Sequence, residues 1–170
     1  MLFVDIGSIR DDKGLSLEAH LECKGEVIGV PRDDVEFSGP VKVDAEVTHT
    51  GDEVMIVRAK VSTTLSSPCS RCLAPTEQRL SVNLVEEYRP EMDVDEDTQT
   101  DDIRVYSGDA IDLTDAVRDA VIMATPIRML CKEDCAGLCS MCGTNLNTSS
   151  CDCSPPADPR LESLAKLLKP

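Results

Sequence analysis

The side chains in this sequence best suited to chemistry are thiols. Nine of the 170 residues are cysteine; eight of them fall in closely spaced pairs, whereas Cys23 stands alone. In a reducing compartment, such pairs are more often metal ligands than disulfides. Because four thiolates fill the tetrahedral shell of one zinc ion, eight thiolates predict two zinc sites. The candidate ligands are Cys69, Cys72, Cys131, Cys135, Cys139, Cys142, Cys151 and Cys153.

The strongest local motif is C-x-x-C-G, which runs from Cys139 through Cys142 to Gly143. A two-residue spacer turns the backbone so that both sulfurs face one ion, and the glycine can take the positive φ that such a turn requires. Cys151 and Cys153 lie close enough in sequence to complete a local shell of four sulfurs. This motif therefore predicts one zinc site built within a short segment.

Cys69 and Cys72 have the same spacing and need two further ligands. Cys131 and Cys135 remain, so we expect these four to share the other ion. In an alternative grouping, Cys131 and Cys135 join the C-x-x-C pair that follows them. The spacing alone leaves both groupings open.

An all-cysteine shell leaves no open position for water, so these sites are expected to be structural rather than catalytic. Redox chemistry is disfavoured because neither pair has the βαβ context of a thioredoxin-like motif. Sulfur ligands alone also permit an iron–sulfur cluster, but the glycine after the motif favours zinc. We expect Cys23 to be a buried or half-buried strand residue.

The first part of the chain, 1–127, reads as a β-rich domain. Apolar and charged residues alternate over 41–47, and two further candidate strands span 54–65 and 80–88. The cysteine pair at 69–72 falls between these two strands, which predicts that it lies at the tip of a β-hairpin.

A helix is predicted at 112–125, with Asp112 as its N-cap and Pro126 after its end. Between the strands and this helix, residues 86–102 hold nine acidic residues and one basic residue, which predicts a solvated loop. Residues 128–170 would form the cysteine-rich zinc module and a C-terminal helix. The apolar face of this predicted helix consists of Leu161, Leu164, Leu167 and Leu168.

These elements predict an α+β fold. We expect an N-terminal antiparallel β-sheet or partial barrel, one or two helices, and a C-terminal cysteine-rich module similar to a zinc ribbon.

The composition excludes several classes of protein. The formal charge of −15 disfavours electrostatic binding to nucleic acid or to an anionic membrane, and favours a basic partner. The sequence has two histidines and four aromatic residues, which disfavours histidine-centred catalysis and base stacking. The amino terminus lacks the basic start of a secretory signal, and the longest apolar run is too short to span a bilayer. A cytoplasmic protein is expected.

The cysteine pattern as a whole resembles that of the bacterial YceD-like family, named for large ribosomal RNA subunit accumulation. The resemblance is carried by Cys69-x-x-Cys72-Leu73, by the run from Cys131 to Asn147, by Cys151-Asp152-Cys153, and by Asp158-Pro159-Arg160 before the leucine-rich segment. The resemblance implies a role in biogenesis of the large ribosomal subunit and identifies no catalytic residues. The family also implies that the site centred on Cys69 is the common one and the site centred on Cys139 an elaboration.

The leading hypothesis is therefore a non-enzymatic, zinc-stabilised assembly factor with no small-molecule substrate. The acidic segment 86–102 would bind a basic ribosomal protein or a pre-ribosomal large-subunit particle. Direct contact with ribosomal RNA is the other route, through 128–170, where five basic residues balance five acidic ones. Its candidate phosphate contacts are Arg128, Lys132 and Arg160.

Two alternatives belong to other classes. An RNA-processing enzyme would need a carboxylate cluster in a cleft, and the spacing of the available acids suits a loop and a helix cap better. Those acids are Asp101, Asp102, Asp109 and Asp112. A zinc-ribbon adaptor of the transcription or translation machinery is the second alternative.

Overall fold

A computed structural model describes residues 1–29, 32–91 and 104–154. The leucine-rich segment after Pro155 and most of the acidic segment lie outside these residues. The described part is an α+β fold with eight strands and two helices. The strands are β1 (Phe3–Asp5), β2 (Ser16–Cys23), β3 (Glu36–Phe37), β4 (Val41–Gly51), β5 (Val54–Pro68), β6 (Pro75–Pro90), β7 (Arg104–Tyr106) and β8 (Ala110–Asp112), and the helices are α1 (Gly25–Ile28) and α2 (Thr114–Ala124).

The central strands of the fold are those with the clearest alternation in sequence. In β4, Val41, Val43, Ala45 and Val47 are buried, while the charged residues between them face solvent. β5 follows after a tight turn in which Asp52 and Glu53 both take positive φ, as the two central residues of a type I′ hairpin turn do. One face of the sheet therefore forms the main core, which α2 covers from the side of β6.

The main sheet is mixed rather than purely antiparallel. Its strand order is β2-β4-β5-β6-β7, with β3 paired to the far end of β5. All of these pairs are antiparallel except β6 with β7, which is parallel from Tyr88 to Pro90 on β6. The amino terminus adds a separate two-stranded sheet, in which β1 pairs with β8.

The strand predicted at 80–88 is confirmed as part of β6, so the loop predicted at 86–102 is wrong for its first residues. β6 continues to Pro90, because Glu86, Glu87 and Tyr88 pair with β5 and the ring of Tyr88 is buried. The Tyr88 hydroxyl also donates a hydrogen bond to the carbonyl oxygen of Asp112, 3.3 Å away. Burial of this ring on the core face outweighs the charge of its neighbours.

The helix begins two residues later than predicted. Asp112 ends β8, and α2 begins at Thr114. The Oδ1 atom of Asp112 nevertheless accepts a hydrogen bond from the backbone N–H of Thr114 at 2.8 Å, so the side chain satisfies a donor at the start of the helix. Among the described residues, no helix is long and apolar enough to cross a membrane.

Candidate metal centre

The turn between β5 and β6 presents two cysteine sulfurs on one side. The backbone N–H of Cys69 donates to the carbonyl oxygen of Ala74 at 2.8 Å, and that of Leu73 donates to the carbonyl oxygen of Cys69 at 2.9 Å. Leu73 takes a φ of 59°, and the N–H of Arg71 lies 3.5 Å from the Cys69 sulfur. The hairpin therefore ends in a loop that directs a backbone N–H at the Cys69 sulfur.

The same turn recurs in the C-x-x-C-G motif. Cys139 donates to the carbonyl oxygen of Thr144 at 2.8 Å, and Gly143 donates back to that of Cys139 at 2.9 Å. Gly143 has a φ of 72°, and the N–H of Met141 lies 3.4 Å from the Cys139 sulfur. The chain thus builds one cysteine turn twice, with Leu73 and Gly143 at equivalent positions.

Two groups of four sulfurs result, and within each group all sulfurs lie within 4.8 Å of one another. They correspond to the grouping that assigns Cys131 and Cys135 to the hairpin pair, and not to the alternative that joins them to the C-x-x-C-G motif. We call Cys69, Cys72, Cys131 and Cys135 the first cluster, and Cys139, Cys142, Cys151 and Cys153 the second cluster. Cys23, half-buried at the end of β2, belongs to neither.

The sulfur spacing in the first cluster suits a four-coordinate ion. The sulfurs of Cys69 and Cys135 are 3.8 Å apart, and those of Cys72 and Cys131 are 3.6 Å apart. A disulfide would bring them to about 2.0 Å. Four sulfurs held about 2.3 Å from a tetrahedral centre are about 3.8 Å apart, which is the spacing observed here.

The two clusters differ in their exposure to solvent. In the first, all but Cys131 are buried, whereas in the second Cys142 and Cys153 are exposed and the other two are half-buried. The first cluster also draws its cysteines from both the hairpin and the segment after α2, whereas the second draws all four from 139–153. The first cluster therefore ties together distant parts of the chain, while the second closes a local loop.

Hydrogen bonds favour the thiolate form at one or more sulfurs of each cluster. The backbone N–H of Arg71 is the main cause of a lowered pKa of about 6 for Cys69. The hydroxyl of Thr144, 3.1 Å from the sulfur, is the main cause of a similar value, about 6, for Cys142. Desolvation, in contrast, raises the pKa of Cys131 to about 12. A bound cation would supply the charge that lets all four sulfurs of a cluster ionise.

Backbone contacts dock the cysteine-rich segment onto the hairpin tip. The N–H of Ser70 donates to the carbonyl oxygen of Met129 at 2.8 Å, and Met129 is itself fully buried. The Arg71 guanidinium donates to the carbonyl oxygen of Cys135 at 2.8 Å, and the N–H of Leu138 donates to the carbonyl oxygen of Arg71 at 3.2 Å. These bonds position the first cluster independently of its sulfurs.

Asn147 links the two clusters, a role that the sequence analysis did not identify. Its Nδ2 atom donates to the Cys135 sulfur at 3.4 Å, and its Oδ1 atom accepts from the N–H of Ala136 at 2.9 Å. Asn145 accepts hydrogen bonds from Asn147 and so orients it. The only signal in the sequence is the polar N-L-N segment within the cysteine run.

The other candidate residues are not assembled into a site in the described structure. Asp109 pairs with Arg10 at 2.8 Å, and Asp112 is held at the start of α2. Lys132 lies 3.7 Å from Asp134. Asp101, Asp102 and Arg160 lie outside the described residues.

Comparison with known proteins identifies the family. The sequence model of a family described as large ribosomal RNA subunit accumulation protein YceD matches residues 57–168. The chain belongs to the YceD family. The family is named for accumulation of the large ribosomal RNA subunit, and the matched residues include all eight clustered cysteines.

Two of the relatives that the chain matches carry the family's name. An uncharacterized protein of Mycobacterium tuberculosis is 28% identical over 98% of this chain and 81% of its own length. The chloroplastic YCED homolog 1 of Zea mays, named as a large ribosomal RNA subunit accumulation protein, is 30% identical over 68% of this chain and 49% of its own length. The corresponding homolog of Arabidopsis thaliana is 42% identical over 25% of this chain and 13% of its own length. No solved structure gives a significant match.

Proposed function

We propose that this chain is a non-enzymatic, zinc-bound factor in biogenesis of the large ribosomal subunit. The observation that carries the proposal is the pair of four-sulfur clusters in a member of a family named for large-subunit RNA accumulation. Four cysteine ligands close the coordination shell of an ion, so the clusters suit a structural and not a catalytic role.

Each cluster would hold one zinc ion through its four cysteines. Support comes from the tetrahedral spacing of the sulfurs in the first cluster and from the N–H groups directed at Cys69 and Cys139. The segment 139–153 contributes no buried hydrophobic residue to the core, so metal would supply most of its folding free energy. We therefore assign 128–170 to a module similar to a zinc ribbon and 1–127 to the β-rich domain that carries it.

The partner we propose is a basic ribosomal protein or a pre-ribosomal large-subunit particle, met in the cytoplasm. The net charge of −15 supports a basic partner over free RNA. Two exposed apolar side chains, Leu73 and Met141, lie in the two cysteine turns and would offer a partner uncharged contacts.

Complementation tests the proposal. In a strain that lacks this chain, we expect the ratio of large-subunit to small-subunit ribosomal RNA to fall, and the wild-type chain to restore it. Cys69→Ser should fail to restore the ratio, while Cys23→Ser, which removes a cysteine outside both clusters, should restore it fully. An unchanged ratio in the strain without the chain would overturn the proposed function. Cleavage or modification of ribosomal RNA by the purified wild-type chain would show instead an RNA-processing enzyme.

A further inference from the structure

The hairpin that carries Cys69 and Cys72 presents a row of polar side chains beside β3. Glu36 on β3 pairs with Ser66 on β5, and Ser66 in turn pairs with Glu77 on β6. Directly opposite residues of antiparallel strands point to the same face, so these three side chains lie side by side. The row lies on the face away from the core, because the residues on either side of Ser66 along β5 are buried. Two strand spacings separate the two glutamates, which places their Cα atoms about 10 Å apart.

A groove of about 640 Å³ opens on this face, between the row and the cysteine turn. Part of its lining is apolar: Pro68 pairs with Pro75 across the hairpin, and Leu73 in the turn is 67% exposed. The next basic residue along this face of β6, Arg79, lies opposite Thr64 and does not line the groove. The lining has no basic side chain and four acidic ones, which are Asp33, Asp34, Glu36 and Glu77.

Three of these four carboxylates have no ionic partner in the described part of the chain. Asp34 pairs with Arg32 at 3.1 Å. No ion pair within the described ranges involves Asp33, Glu36 or Glu77, and all three residues are exposed. The groove therefore combines an exposed apolar surface with a net negative charge, and its potential favours a cationic group.

The spacing of the carboxylates favours basic side chains over a metal ion. Within the described residues, only the two cysteine clusters bring three or more potential ligand atoms within 4.8 Å of one another. Long basic side chains can instead reach carboxylates that are too far apart to share one ion. Arginine suits this groove better than lysine, because a guanidinium is less strongly hydrated than an ammonium and donates two parallel hydrogen bonds to one carboxylate.

We propose that this groove binds an extended, arginine-bearing segment of a basic partner protein. Guanidinium groups of the segment donate hydrogen bonds to Glu36 and Glu77, and its apolar parts pack on Leu73 and on the paired prolines. The inference rests on the proposed function in that the partner is basic, and adds the surface and the side chain that it recognises. Because the contacts are ionic and solvent-exposed, binding weakens as the salt concentration rises.

Synthetic peptides test which side chain the groove recognises. The probe is a short fluorescent peptide of alternating arginine and alanine, compared on the full chain with matched peptides that carry lysine or citrulline, the neutral counterpart of arginine. We expect the arginine peptide to bind at least about tenfold more tightly than the citrulline peptide and about threefold more tightly than the lysine peptide. Equal binding of either matched peptide would overturn the proposal. Displacement of the probe by an equal concentration of free arginine would indicate a small-molecule site and overturn the partner segment.

Paired glutamine variants locate the site. Glu36→Gln combined with Glu77→Gln keeps the size of both side chains, and should weaken binding of the arginine peptide about tenfold and remove its advantage over the citrulline peptide. The control combines Glu18→Gln with Glu46→Gln, which removes the same charge from two exposed residues that lie opposite each other on β2 and β4. The control should bind the arginine peptide as wild type does. Equal loss in the two double variants would show attraction to the charge of the whole chain and would rule out this groove.

An apolar variant tests the rest of the groove without changing its charge. Leu73→Asn keeps a residue that tolerates the φ of 59° in the turn, and should weaken binding of the arginine peptide about threefold by loss of apolar contact. Met141→Asn makes the same exchange at an exposed residue of the other cysteine turn and should leave binding unchanged. Wild-type affinity in Leu73→Asn, or the same loss in both variants, would contradict the placement of the segment across the cysteine turn.

The two readouts separate this inference from the proposed function. If the wild-type chain restores the ribosomal RNA ratio but does not bind the arginine peptide, the groove is not the partner site and the proposed function stands. If the peptide binds as predicted but the wild-type chain restores nothing, the proposed function fails while the groove remains a site for a basic segment.

Discussion

The Nδ2 atom of Asn147 donates a hydrogen bond to the Cys135 sulfur across 3.4 Å, so the loop of the second cluster contacts a cysteine of the first. Hydrogen bonds to ligand atoms commonly change metal affinity by about 10- to 100-fold. We therefore expect the two clusters to be coupled through this amide.

Asn147→Ala should weaken zinc binding at the first cluster by about tenfold, because both the donor to Cys135 and the acceptor for Ala136 are lost. Competition with a chromophoric chelator measures this affinity. The control is Asn83→Ala, an exposed asparagine on β6, which should leave both affinities unchanged. Equal affinity in Asn147→Ala and wild type would show that the two clusters are independent.

Loss of a ligand should have different consequences in the two clusters. Cys69→Ser should lower the melting temperature of the whole described domain, because the first cluster joins the hairpin tip to the segment after α2. Cys142→Ser should leave that transition nearly unchanged and expose only the local loop to protease. Calorimetry together with limited proteolysis checks both. Identical melting curves for the two variants would contradict the difference in their structural roles.

The equivalent positions of the two cysteine turns should respond in opposite ways to exchange. Gly143→Leu should destabilise the second turn by about 1–2 kcal/mol, because a Cβ is unfavourable at its φ of 72°. Leu73→Gly should keep or raise the stability of the first turn, since Leu73 is 67% exposed and takes a φ of 59°. Chemical unfolding of the zinc-loaded variants measures both. If Leu73→Gly lowered stability as much as Gly143→Leu does, the contacts of the Leu73 side chain would stabilise the first turn.

Tyr88 should make the fold sensitive to alkaline pH. Burial raises the pKa of its phenol, so above about pH 10 the unfolded chain loses this proton while the folded chain retains it. This contribution is fully present below about pH 10 and is lost as the pH rises further. Tyr88→Phe should cost about 1 kcal/mol at neutral pH by removing the bond to Asp112, and should lose less stability than wild type as the pH rises above about 10. If the urea midpoints of wild type and Tyr88→Phe changed with pH in parallel, the buried phenol would not be the cause of the alkaline sensitivity.

Much of the site is predictable from spacing. The C-x-x-C pairs are local, so their turns follow from a few residues, and the hairpin tip follows from the strands on either side of Cys69 and Cys72. The alternation of Val41 to Val47 likewise predicts the buried face of β4. Metal binding by these cysteines stays a prediction, since the structure supplies only their geometry.

Other features depend on contacts between distant parts of the chain. β1 and β8 have three residues each, too few for a periodic pattern, and they pair residues more than a hundred positions apart. The charge run at 86–102 predicts a loop from Glu86 onward, whereas burial of Tyr88 against the core extends β6 to Pro90. The bond from Asn147 to Cys135 lies within the cysteine-rich segment, but it depends on how the loop of the second cluster folds back, which the spacing of the cysteines does not specify.

The central claim is that each four-sulfur cluster holds one zinc ion. Native mass spectrometry of the chain purified without chelators, compared with its denatured mass, tests it most directly. We predict an excess of two zinc ions, with one ion lost in Cys69→Ser, one lost in Cys142→Ser and none lost in Cys23→Ser. One zinc ion in the wild-type chain, iron in place of zinc, or a mass lowered by two hydrogens for each cysteine pair would contradict the account.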